Sequence, residues 1–269
     1  MGEDKDMTFL DHLEELRWHL IRATLSIVFV GSIAFMLKGF IFDYILFGPK
    51  DPNFVTYRWF CEIFNILCIE DMPFRIQSRT LAGQFSAHLW TSILAGFILA
   101  FPYVLYEFWR FISPGLLARE RKNARGFIFI ASVLFFLGVL FGYYIVTPLS
   151  INFLGSYSVS EEVFNDFDLS SYIGMLRASV LATGLIFELP ILIFFFTKIG
   201  LITPKFLRKN RKFALIIVLS ISAIITPPDI ASQIIVSIPV LILYEVSIWI
   251  SYWVVRRQEK EITSQVVKK

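Results

Sequence analysis

Residues 171–198 read S-Y-I-G-M-L-R-A-S-V-L-A-T-G-L-I-F-E-L-P-I-L-I-F-F-F-T-K, and between Ile173 and Phe196 only Arg177 and Glu188 carry charge. A run of this length is what one helix needs to cross a bilayer core of about 30 Å, which takes about 20 residues. A strand of a membrane barrel would instead show about ten residues of alternating polarity. Lipid is therefore the solvent this segment is built for, and a helix is the form in which its backbone polar groups are satisfied there.

Working outward, five more segments meet or approach the same length, at about 20–37, 84–106, 126–148, 213–226 and 231–254; the opening segment, 171–197, is fourth in chain order. The expectation is an all-α polytopic membrane protein with six transmembrane helices in a single domain over 1–269. Composition agrees, with 56% hydrophobic residues, 17% charged residues, 29 phenylalanines and a mean hydropathy of +0.66. No soluble domain carries that balance. The net charge of +3 is too small to suggest a nucleic-acid partner. The 213–226 segment has about 14 residues, or about 21 Å of helix, short enough to call for local bilayer thinning. Pro239 and Glu245 likewise shorten the truly apolar part of the last span. Acidic residues precede the first run and no small-residue site closes it, which argues against a cleavable signal peptide. The lack of an Arg- and Ser-rich presequence points to a prokaryotic protein.

Lys and Arg set the expected orientation. The 107–125 connection holds Arg110, Arg119, Arg121, Lys122 and Arg125, and 198–212 holds Lys198, Lys205, Arg208, Lys209, Arg211 and Lys212, so both should be cytoplasmic. The 149–170 connection has neither Lys nor Arg but has Glu161, Glu162, Asp166 and Asp168 and should face outward, as should Pro227-Pro228-Asp229. Both termini, with the basic tail 255–269, then come out cytoplasmic. The 38–83 loop carries five basic residues, but long loops obey this rule poorly. Cys61 and Cys68 lie seven apart in that loop, which fits neither a CxxC redox pair nor a four-ligand zinc site. A disulfide and two free thiols both remain open; no metal site and no cofactor are expected.

Ahead of the first span, Thr8 and Asp11 stand at capping-box spacing and Phe9, Leu13, Leu16 and Leu20 fall on one helical face, so 8–19 reads as an amphipathic helix lying on the membrane. The string F-L-D-H-L-E-E-L-R, Phe9 to Arg17, matches the Phe-x-x-His-Leu-x-Glu-Leu-Arg signature of the TatC family. Phe101 to Arg121 is similar to that family's first cytoplasmic loop, with Glu120 at its acidic position. Phe187-Glu188-Leu189-Pro190 and Thr226-Pro227-Pro228-Asp229, followed by Ser232 and Gln233, are third and fourth matches. Position 107 departs from the pattern, being Glu where the family commonly has Gln, and 50–80 matches nothing quotable.

The resemblance implies a non-enzymatic core subunit of the twin-arginine translocase in the prokaryotic inner membrane. Such a subunit receives twin-arginine signal peptides and exports folded proteins on the proton-motive force. It works with single-span TatA/TatB-type subunits in an assembly holding several copies. Glu15, Arg17 and Glu120 are carried over as signal-peptide-binding positions, and Asp229 and Gln233 as partner contacts. Guanidinium groups stay charged at physiological pH and take bidentate, charge-assisted hydrogen bonds from carboxylates. The blander reading pairs Glu15 locally with Arg17 or Arg22 and lets Glu120 offset Arg119 and Arg121; for Asp229 it is an N-cap of the last span.

Glu188 stands out without any resemblance, because a carboxylate at bilayer depth costs several kcal/mol unless protonated, paired or facing water. It is a protonated structural group, a polar contact for a partner helix, or a step in proton coupling. A proton-coupled transporter of a small solute, with Glu188 as coupling carboxylate, is the rival from another class; it would favour repeated discontinuous helices, and none are evident. An intramembrane hydrolase would need H-E-x-x-H, a Ser/His pair or paired aspartates, and none is present. His12, His19 and His88, the pairing of Arg177 and Glu245, and the tryptophans at 90, 109, 249 and 253 are given no function.

Overall fold

The computed structural model describes residues 9–64, 68, 72, 74–113, 124–160, 162–163, 165–226 and 230–266; for 9–12, 64, 124–125, 231 and 260–266 this covers the backbone alone. Its internal contacts form two compact units, 1–45 with 78–133 and 46–77 with 134–269.

The first unit is built on α1 (Phe9–Met36) and α3 (Gly83–Ile112). The two run antiparallel and meet at glycine: a Cβ on Gly96 would come within 2.5 Å of the Ile27 carbonyl oxygen and 2.8 Å of the Gly31 Cα. Backbone contact of this kind is how membrane helices gain packing when lipid offers no hydrophobic drive to associate. Further along, the His88 Nε2–H donates to the Phe35 carbonyl at 3.0 Å while the two rings stack at 3.9 Å, so His88 serves as a helix clamp. The expected surface helix and first span are one continuous helix, because the Leu16–Leu20 stretch contains neither Gly nor Pro to interrupt it.

Between these helices the chain forms α2 (Val55–Phe64) and the three-residue strand β1 (Arg75–Gln77). α4 (Ala124–Phe141) leads into a π-helical turn, Gly142–Val146, and α5 (Thr147–Ser156). Strand β2 (Asp166–Asp168) follows, then α6 (Leu169–Ile186), α7 (Leu189–Lys198), α8 (Pro204–Lys209), α9 (Arg211–Ile225) and α10 (Ile230–Val266). The parallel pairing of β1 with β2, Ile76 opposite Phe167, is a small addition to the expected all-α fold.

Within the second unit, Tyr57 is 1% exposed and its hydroxyl lies 3.0 Å from the carbonyls of both Pro49 and Pro148. Burial pushes its phenol well above the usual range. The Thr56 hydroxyl donates to the Tyr144 carbonyl inside the π turn, and Tyr172 donates to the Leu46 carbonyl at 2.9 Å. Cys61 and Cys68 are joined in a disulfide. The connecting loop is thus tied to the helices by hydrogen bonds from α2 and α6.

Among the described residues, five stretches are long and apolar enough to cross a membrane: Leu13–Met36, Gly83–Ile112, Gly126–Ser156, Leu169–Lys198 and Ser232–Glu259. The remaining expected span, 213–226, is helical too, but α9 has 15 residues. The segment quoted at the outset is broken. α6 stops at Ile186 and α7 starts at Leu189, because Pro190 has no N–H to donate and its ring collides with the carbonyl four residues back. Glu188 sits in that break. α7 and α8 pack on α10 in a cluster of Ile193, Leu207 and Ile248 with Leu189, Ile202 and Tyr244, and the Thr197 hydroxyl donates to Ser251 Oγ at 2.8 Å in the buried seam between α7 and α10.

Candidate functional site

On a helix, positions i, i+3, i+4 and i+7 share a face, and Glu15, Trp18, His19 and Arg22 of α1 do so. With Glu14 and with Arg110 of α3 they line an open cleft of about 390 Å³ in the first unit. Behind it lies Glu107, 2% exposed, and the antiparallel pairing of α1 with α3 brings His19 and Arg22 onto it. The His19 Nδ1–H donates to Glu107 Oε2 at 2.6 Å. Arg22 Nε lies 3.2 Å from the same oxygen, an ion pair without hydrogen-bond alignment. Arg22 Nη2 is also 3.1 Å from His19 Nδ1. One nitrogen cannot donate and accept at once, and a carboxylate only accepts, so the bond to Glu107 fixes Nδ1 as donor and Arg22 is a charge neighbour. The Tyr103 phenol, four residues back on α3, is the third polar group beside Glu107.

Glu107 is therefore spent: imidazole, guanidinium and phenol all converge on it, which is how a buried carboxylate is tolerated. Glu15 differs. It is half-buried at the cleft, and its Oε2 is shielded from solvent without a hydrogen-bond partner among the described residues. An acceptor in that state is short of a donor, and the cleft in front of it is open.

Of the residues singled out in the sequence, Glu15 lies in this cleft. Arg17 does not line it; its guanidinium sits over the Trp18 ring at 5.6 Å. Glu120 and Asp229 lie outside the described residues, as does the His12 side chain. Gln233 belongs to the second unit, where its amide donates to the Leu219 carbonyl at 3.0 Å and ties α9 to α10. Glu188, also in the second unit, is 9% exposed, and its Oε1 is buried without a hydrogen-bond partner among the described residues. Glu245 pairs with Arg211 at 2.7 Å, both half-exposed. Among the described residues no group of three or more His, Cys, Asp or Glu could hold a metal ion.

Sequence reasoning missed the role of Glu107 and gave His19 none. The available signal was Glu107 itself, a carboxylate three residues before Arg110 at the end of an apolar run. His19 and Arg22 come from a helix 88 and 85 positions earlier, and no spacing rule links them to it.

Against known proteins, residues 11–239 match the family model for the Sec-independent protein translocase protein (TatC). A TatC from Blattabacterium sp. subsp. Periplaneta americana is 45% identical over 264 residues, covering 96% of this chain and 99% of that protein. A TatC from Aquifex aeolicus is 33% identical, covering 95% and 99%. A crystal structure described as the twin arginine translocase receptor TatC superposes with a TM-score of 0.68 at 31% identity, covering 91% of this chain and 99% of that one. A second, in the detergent DDM, gives 0.69 at 32%, covering 89% and 99%. A family model spanning most of the chain, relatives matched almost end to end and a shared helical fold agree: the chain belongs to the TatC family of Sec-independent protein translocase proteins.

Proposed function

We propose that this translocase subunit is the receptor for twin-arginine signal peptides, and that the α1–α3 cleft is where it reads them. The observation that carries the reading is Glu15 Oε2, shielded and without a donor among the described residues, at an open cleft of about 390 Å³. A guanidinium from a signal peptide supplies the missing donor in a bidentate, charge-assisted bond. Lysine offers a compact point charge without the planar fork and fits the same acceptor less well. Glu107 keeps Arg22 and His19 occupied, and Arg110, also in the lining, lies over the Tyr106 ring at 5.8 Å. Arg17 lies outside the cleft, over the ring of Trp18, which lines it. Glu120, carried over from the family pattern, is the second carboxylate in this proposal.

The finer topology belongs to the same proposal: six spans, with α9 crossing a thinned bilayer, and both termini in the cytoplasm of a bacterial cell. TatA/TatB-type subunits meet the chain at Asp229 and Gln233, several copies assemble, and the proton-motive force drives export, with Glu188 as the intramembrane polar contact. The solute-transporter alternative is not favoured, since every relative named above is a protein translocase component.

The test is binding of an Arg-Arg signal peptide and its Lys-Lys counterpart to the detergent-purified chain and to Glu15→Ala and Glu120→Ala. The expected result is a loss of tenfold or more, about 1.4 kcal/mol, for Lys-Lys and for either substitution. Equal binding of both peptides by all three proteins overturns the proposal.

A further inference from the structure

At the other end of the molecule's chemistry, Phe194 of α7 with Trp249, Ile250, Trp253, Val254 and Arg257 of α10 lines a groove of about 370 Å³ in the second unit. Trp249, Trp253 and Arg257 follow one another at intervals of four residues, which stacks them along one helix face over about 12 Å. Trp249 is 71% and Trp253 69% exposed, on a helix long and apolar enough to cross a membrane. The groove therefore opens onto lipid. Its floor is rigid: the Thr197–Ser251 bond lies in the seam between α7 and α10, and Gln258 donates to the Lys198 carbonyl at 3.1 Å, fixing the end of α7 to the extension of α10.

The groove is polarised along its length. The Trp249 end is wholly apolar. At the Arg257 end, Lys198 places its ammonium 5.5 Å from the Phe194 ring that lines the groove, and Arg256 adjoins Arg257. In sequence Arg256, Arg257 and Lys260 stand beside Glu259 and Glu261, so with Lys198 this end carries four basic residues against two acidic ones. Two tryptophans followed by basic side chains, at the point where an apolar helix meets water, match an acyl chain topped by a phosphodiester.

We propose that this groove is a binding site for one anionic phospholipid, its acyl chain along Trp249 and Trp253 and its phosphate at Arg257 and Lys198. A zwitterionic lipid offers the same chains, but its own cation opposes the basic end.

The test uses the full chain reconstituted in phosphatidylcholine vesicles, with brominated phosphatidylglycerol or brominated phosphatidylcholine as quencher. Phe replacements of Trp18, Trp59, Trp90 and Trp109 leave only the two groove tryptophans to report. The expected result is quenching at about fivefold lower mole fraction of brominated phosphatidylglycerol than of brominated phosphatidylcholine, with the preference abolished in Arg257→Gln combined with Lys198→Gln. Equal quenching by the two lipids overturns the proposal. So does an Arg256→Gln variant that loses as much preference as Arg257→Gln, which would make the effect a diffuse surface charge. Protection of both tryptophans from either lipid overturns it too, by showing the groove filled by protein. Should the four-Phe protein fail to fold, mass spectrometry of lipid adducts on the delipidated natural chain decides. One phosphatidylglycerol retained in preference to phosphatidylcholine, and lost in the Arg257→Gln/Lys198→Gln protein, supports the site, and equal retention of the two lipids removes it.

Discussion

Glu107 and Glu188 are both buried in apolar helices, and their surroundings are opposite. Glu107, 2% exposed, receives His19 at 2.6 Å, Arg22 at 3.2 Å and the Tyr103 hydroxyl. Glu188, 9% exposed, sits in the break between α6 and α7 with an oxygen that has no hydrogen-bond partner among the described residues. The same functional group is an anchor in one place and an open valence in the other. Burial alone therefore does not tell what a carboxylate does; the inventory of donors around it does. Glu15 belongs with Glu188 in this respect, but it faces an open cleft.

The comparison breaks first at Glu107. Replacing it with Leu leaves the buried His19 Nδ1–H without its acceptor, which costs about 1–3 kcal/mol, while the Arg22 side chain, 40% exposed, can turn to solvent. Thermal unfolding in detergent should show a corresponding drop; an unchanged melting temperature would mean that Glu107 anchors nothing. Next comes Gly96→Leu, which drives a side chain into the α1 backbone at Ile27 and Gly31. Overpacking of this kind costs about 1–3 kcal/mol, read from the same melting curves. Because the cleft is made by the α1–α3 pairing, peptide binding should fall with it.

Glu188→Gln sharpens the other side. With Oε1 lacking a hydrogen-bond partner among the described residues, the neutral amide should unfold within about 1 kcal/mol of the parent, or at higher temperature, since an unpaired carboxylate contributes little to stability. Export of a folded twin-arginine precursor in cells should nevertheless fail. A severe loss of stability would reveal a partner for Glu188 and erase the contrast. The smallest expected change in stability is at Glu15, where Gln should leave unfolding within about 0.5 kcal/mol while weakening Arg-Arg peptide binding.

Much of this fold was legible because lipid imposes a blunt rule: long apolar runs become helices. The runs at 84–106 and 126–148 correspond to α3 and to α4 with its π turn and α5, and the shortness of the 213–226 segment reappears as the 15 residues of α9. The break at Phe187–Glu188 was not read, although Pro190 signalled it, because membrane helices often carry proline without ending. The continuity of α1 was missed for a related reason, since an amphipathic start and an apolar continuation look like two elements in sequence and obey one helical geometry in space. β1 and β2 are three residues each, too short for any periodicity. Of the site, Glu15 was found through its motif. Glu107 and His19 were not, because what defines them is a cross-helix contact fixed by where Gly96 lets α3 approach α1.

The most direct test of the account crosses two changes, Glu15→Gln in the chain and Arg-Arg to Lys-Lys in the signal peptide, and measures the four dissociation constants in detergent. The account predicts that Arg-Arg over Lys-Lys discrimination, about tenfold or more in the parent, collapses toward unity in Glu15→Gln, so that the two changes are strongly coupled. Full discrimination retained by Glu15→Gln would contradict it, because the guanidinium would then be read by some group other than Glu15.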